Sequence, residues 1–138
     1  MKLPLFLLTA VMLSGIANAQ KGPEIMNPPV MRNDLLTAVI DSGKDVSRVE
    51  IQQVTMAPGI KAPLHLHPCP TVGVITEGTI DFQIEGKAVQ HLKPGDAFYE
   101  PANVRVAKFN NESDSPATFV VFYLLGEGEK DTIQILTQ

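Results

Sequence analysis

The densest cluster of chemistry-bearing side chains in this sequence is Pro63-Leu64-His65-Leu66-His67-Pro68-Cys69-Pro70. On an extended strand side chains alternate in direction, so His65 and His67 project to one side while Leu64 and Leu66 project to the other. Two imidazoles therefore converge. With an ordinary pKa of about 6.5 they are mostly neutral at pH 7, the form that offers a nitrogen lone pair to a metal ion. Prolines at 63, 68 and 70 stiffen the segment and limit its pairing at both ends, which suits a preformed site. Hydrogen-bonded histidines in a core would give the same pattern, so the pair alone leaves both readings open. Cys69 adds a thiol two residues beyond His67. A thiolate binds zinc or iron well, but the flanking prolines leave its direction undetermined, and a lone cysteine is most often a small buried hydrophobe.

The elements that must position these groups are short strands. From residue 35 onward, apolar or alternating runs recur at intervals of about ten residues, broken by Gly, Pro, Asn and Asp, the pattern of a β-sandwich or barrel. Strands are expected at 35–41, 48–56, 62–67, 71–76, 79–84, 89–92, 96–100, 104–110, 118–125 and 132–136. Alternation is clearest from Thr79 to Glu85, where Ile80, Phe82 and Ile84 share one face and polar residues take the other. Glu77-Gly78 and Glu85-Gly86 mark reversals on either side. Residues 119–125 are apolar at almost every position, as in a strand buried on both faces or packed on a second subunit. No run of eleven or more residues holds a helical period, and no repeat or second domain is evident.

Composition narrows the class further. The 138 residues are 44% hydrophobic and 19% charged, which is ordinary for a globular domain. Eleven Lys and Arg against 15 Asp and Glu leave a net charge of −4, without the basic surface a nucleic-acid binder needs. Lys2, an apolar stretch over 3–13, and Ala17-Asn18-Ala19 form a signal peptide, residues 1–19, with cleavage expected before Gln20. The apolar stretch is shorter than the roughly 20 residues that span a bilayer, and it contains Pro4. Export to the periplasm or medium is expected, with no membrane partner after cleavage. Residues 20–34, with Pro23, Pro28 and Pro29, read as an extended arm, and 35–138 as one β-domain. Cys69 is the only cysteine, so stability rests on the core and not on an intrachain disulfide.

Around the histidine pair the spacing resembles the cupin superfamily, small β-barrels with two signatures. The first, G-x5-H-x-H-x3-E-x6-G, is met by Gly59, His65, His67 and Gly78, with Thr71 at the Glu position. The second, G-x5-P-x-G-x2-H-x3-N, is met by Gly95, Pro101 and Asn110, with Asn103 at a Gly position and Val106 at the His position. Asn tolerates a left-handed backbone, so the turn at 103 survives the change. The matches run from 59 to 110, and the strand-rich flanks fit the same fold. The resemblance implies an all-β, double-stranded β-helix, the cupin-type barrel or jelly roll, as a single domain. It also implies a divalent metal held by two His, one Glu and a third His. Thr71 and Val106 remove half of that set, and Val106 cannot ligate anything.

Glu100, in Phe98-Tyr99-Glu100-Pro101, is the best substitute. Pointing inward, it would complete a two-His-one-carboxylate triad with His65 and His67, the arrangement of non-haem Fe(II) sites. Pointing outward, it would simply end a strand in solvent. Among the remaining candidates, His91 is expected to be exposed, Arg105 to lie on the outer face, and Asp96 to bond backbone amides in its turn. Phe82, Phe98 and Tyr99 could line a pocket, although aromatics at strand spacing are usually core. Two functional readings follow. One is an exported cupin that binds a small molecule, a metal (Fe, Mn, Zn or Ni) or both through His65 and His67 without efficient catalysis. The other is a metal-dependent dioxygenase, isomerase or lyase acting on a small organic acid or phenolic compound, with Glu100 as third ligand. In either case the apolar strand and the proline-rich arm are expected to support a homodimer.

Overall fold

A computed structural model describes residues 30–41 and 43–137. The expected signal peptide at 1–19 and residues 20–29 of the expected arm lie outside the described residues. Nine strands follow in order within the compact unit Asn33–Gln138, and no helix occurs among the described residues. They are β1 (Arg48–Met56), β2 (His65–Leu66), β3 (Thr71–Glu77), β4 (Ile80–Ile84), β5 (Gln90–Leu92), β6 (Ala97–Glu100), β7 (Arg105–Asn110), β8 (Ala117–Leu125) and β9 (Gln134–Ile135).

The strands form two antiparallel sheets, one in the order β1-β8-β3-β6 and the other β5-β4-β7-β2-β9. Consecutive strands such as β3 and β4 fall in different sheets, which is the jelly-roll pattern. The two inner faces bury Ile75, Phe98, Phe119, Val121 and Leu125 against Ile80, Phe82, Leu92, Val106 and Phe109. Each such side chain contributes about 1.5–3 kcal/mol on burial, and in the absence of a disulfide this apolar interior holds the sheets together. Phe98, Phe109 and Phe119 meet edge to face, with centroids 5.0 Å apart for Phe98–Phe109 and 4.9 Å for Phe109–Phe119. Gly73 lies opposite Phe98 in the β3–β6 pair. Any side chain there would drive into the Phe98 ring and the Val120 carbonyl, so the glycine admits the ring.

Three expected strands differ, and the one at 132–136 shortens to the two residues of β9. Residues 35–41 carry apolar side chains but form no strand, because they cross the outer face of the four-stranded sheet instead of pairing with an edge. Leu35, Leu36 and Ile40 lie there against Val72, Val74 and Phe122, and the Val39 carbonyl accepts the Tyr99 hydroxyl at 3.3 Å. The run at 62–67 shrinks to the two residues of β2, since Pro63 and Pro68 have no amide hydrogen to offer a ladder. The expected turns are present. Gly59, Gly78, Gly86 and Gly95 all have positive φ, and Asn103 takes φ 61° in the left-handed region.

Candidate metal centre

β2 is short, but both neighbours hold it: His65 pairs with Val106 of β7 on one side and with Ile135 of β9 on the other. His67 lies just beyond the strand, where its carbonyl accepts the Asn103 amide at 2.7 Å. The left-handed turn at Asn103 thus fixes the backbone that carries the second imidazole. Both rings are buried, His65 at 3% and His67 at 4% exposure, and they meet at right angles with centroids 5.3 Å apart. Each donates Nδ1–H to a backbone carbonyl, His65 to Pro63 at 2.8 Å and His67 to Thr132 at 2.5 Å. That fixes Nδ1 as a donor in both rings, leaving His65 Nε2 as a lone-pair donor and turning His67 Nε2 toward Glu100.

Glu100 ends β6 and points inward. Its neighbour two residues back, Phe98, is core, and alternation puts Glu100 on the same face. The carboxylate is 3% exposed, with Oε2 2.7 Å from His67 Nε2. Burial opposes a charge on His67, but the hydrogen bond and charge of Glu100, together with the Thr132 carbonyl, outweigh it and hold the imidazole above its ordinary pKa. Donor atoms of His65, His67 and Glu100 all lie within 4.8 Å of one another. A divalent transition ion would take the place of the proton that His67 Nε2 shares with Glu100, and two imidazole nitrogens and one carboxylate at that spacing fit such an ion, with three protein donors leaving coordination positions open.

Cys69 does not join them. It is fully buried beside the core, outside the cavity the histidines line, and burial pushes its thiol above the usual range. Thr71 is also buried, and its hydroxyl donates to the Cys69 carbonyl at 3.1 Å. Val106, fully buried beside His65, presents carbon where a nitrogen could have been. His91 is exposed and pairs with Asp81 at 2.6 Å on the protein surface. Arg105 lies outside with Glu85 at 3.2 Å, and Asp96 accepts the Lys93 amide at 3.0 Å in its turn. Of the three aromatics, Phe98 lines the cavity, Phe82 is core and Tyr99 sits on the outer face.

The donors open onto a cavity of 310 Å³ whose other walls include Val54, Met56, Phe98, Phe109, Phe119 and Val121. Tyr123 also lines it, opposite Thr71 in the β3–β8 pair and with its ring 5.6 Å from that of His67. Burial first, then the Glu100 charge, push its phenol up to about 12, so it keeps its proton at neutral pH. This residue was hidden in the sequence, since every other position from Phe119 to Leu125 is apolar.

A sequence model of the cupin domain matches residues 52–123, which contain both histidines, Glu100 and Tyr123. The chain belongs to the cupin family. No curated protein matches this cupin in sequence. Among solved structures it is similar to the DMSP lyase DddQ of Ruegeria pomeroyi, with 25% identity and a TM-score of 0.55 over 63% of this chain and 42% of the lyase. It is also similar to a sugar phosphate isomerase of Silicibacter pomeroyi, with 29% identity and a TM-score of 0.50 over 57% of this chain and 52% of that one. An oxalate oxidase seen with the substrate analogue glycolate shares the fold at 22% identity and a TM-score of 0.55, over 64% of this chain and 46% of the oxidase. The matched part of this cupin thus spans about half or less of these enzymes.

Proposed function

We propose that this cupin is a metal-dependent enzyme that holds one divalent transition ion, Fe, Mn, Zn or Ni, through His65, His67 and Glu100. It acts there on a small organic acid or phenolic compound. The observation that carries this reading is the position of Glu100: buried, aimed inward and within donor distance of both histidines. A bound ion would act as a Lewis acid that polarises a substrate oxygen. The chain does the rest. The Pro63 and Thr132 carbonyls orient the two imidazoles, the phenylalanine cluster excludes water, and the Tyr123 hydroxyl offers a proton to a substrate oxygen. The likeness to a DMSP lyase and a sugar phosphate isomerase supports catalysis over binding without turnover.

Binding of a small molecule without turnover is the second reading, and the apolar side chain of Val106 beside His65 favours it. Metal analysis of protein purified without a histidine tag tests the centre on which the first reading depends. One equivalent of metal per chain is expected, lost in His65→Ala, His67→Ala and Glu100→Ala alike, and a rise in melting temperature on adding the ion back. Metal-free wild type, or Glu100→Ala with its metal intact, overturns the triad. The proposal includes export with cleavage before Gln20, which N-terminal sequencing of the secreted or periplasmic protein checks.

A further inference from the structure

The charge balance of the site points to its substrate. On the metal-dependent reading above, on which this inference rests, a divalent ion with two neutral imidazoles and the Glu100 carboxylate leaves one net positive charge. One anionic oxygen of a ligand neutralises it. Among the described residues, no buried cation lines the cavity to receive a second anion. Lys61, the only cationic side chain among the described residues of the wall, is 66% exposed and has its Nζ 3.7 Å from Glu112 Oε1. A second anion held in the apolar part would be buried without a partner, which is strongly unfavourable.

The shape and lining of the cavity fix the rest of the ligand. Its 310 Å³ is at the lower limit of small-molecule pockets, roughly 300–1,000 Å³, and accommodates one ring with short substituents. Phe98, Phe109 and Phe119, packed edge to face on one another, line it. A flat, polarisable body packs on such a surface better than a hydrated one. Tyr123 lines the cavity with its ring 5.6 Å from that of His67, which places one hydroxyl donor at the metal end. We infer that the substrate is a single-ring aromatic monocarboxylate, its carboxylate at the His65–His67–Glu100 centre beside the Tyr123 hydroxyl and its ring against Phe98, Phe109 and Phe119. Dicarboxylates, sugar phosphates and small aliphatic acids are disfavoured by the same walls.

Calorimetry on the metal-loaded wild-type protein tests this with benzoate, terephthalate and acetate. Terephthalate adds only a second carboxylate to the same ring, and acetate keeps the carboxylate without a body. Benzoate is expected to bind once per chain, at least about tenfold tighter than either, a gap of about 1.4 kcal/mol. Tyr123→Phe should weaken benzoate about tenfold, the effect of losing one hydrogen bond to a charged group, and leave metal content unchanged. Terephthalate or acetate equal to benzoate, or no benzoate binding to metal-loaded protein, overturns the inference and spares the metal centre. Protein that takes up no metal overturns the metal centre itself, and this inference with it.

Discussion

Thr71 and Glu100 stand opposite each other in the β3–β6 pair, so their side chains leave the sheet on the same face. Position 71 is where the family signature carries glutamate, and the carboxylate has in effect moved one strand across. A double variant tests that equivalence. Glu100→Ala alone should lose the metal, and Thr71→Glu added to it should restore binding to within about tenfold of wild type, as titration with Co²⁺ would show. Failure to recover in a folded double variant would mean that the Glu100 position itself is indispensable. Val106→His places a third nitrogen beside His65. It should tighten metal binding while occupying a coordination position, so that carboxylate ligands bind more weakly. The histidine pair was legible because an H-x-H spacing on a strand admits one geometry. Glu100 was legible only as one of two directions, although Phe98, two residues back and plainly core in type, carried the signal that decides between them. Tyr123 left no trace, because residues 119–125 are apolar in type on both faces of β8, so the sequence shows no alternation against which an inward hydroxyl would stand out.

At the scale of elements, the site depends on strands too short to be secure alone. β2 and β9 have two residues each, and β9 pairs only with β2, at the edge of the five-stranded sheet. Yet the segment carrying β9 supplies the Thr132 carbonyl that orients His67 and the Ile133 side chain that closes one wall of the cavity. The Leu136 amide ties it back to the Leu64 carbonyl at 2.9 Å. A chain ending at Asp131 removes that carbonyl and that wall but touches little of the core. It is expected to keep its β-sheet circular dichroism and to bind metal 10–100-fold more weakly, about the effect of losing an orienting partner of a ligand histidine. Unchanged affinity would mean that the Thr132 hydrogen bond does not position the ring. The long strands were read well, β1 to the residue, because alternation and bounding glycines or prolines are local signals. Residues 35–41 misled for a physical reason. Their apolar side chains are real, but they cover a sheet face, and a hydrophobic pattern does not reveal whether the backbone beneath it is paired.

For the whole molecule, the outer face of the four-stranded sheet is the feature that the monomer leaves unexplained. Val49 and Ile51 of β1 are half or more exposed, and in register beside them stand Leu124 and Phe122 of β8, with Val72 next to Phe122 on β3. Leu35, Leu36 and Val39, in the segment crossing that face, are exposed as well. A contiguous apolar surface of this kind on an otherwise acidic chain marks an association site more often than a solvated one. β1 is moreover a nine-residue edge strand with no partner on its free side among the described residues. A twofold dimer would cover both features, because an isologous interface places the same patch on each partner. Light scattering at two concentrations should give twice the chain mass. Ile51→Lys, on the outer face and outside the cavity, would bury an unpaired ammonium at that interface. At a cost of about 2 kcal/mol or more, it should weaken the dimer roughly thirtyfold or beyond and leave metal content unchanged. A monomeric wild type at high concentration would assign the patch to something other than a second copy, and a lysine variant still dimeric at low concentration would place the interface elsewhere.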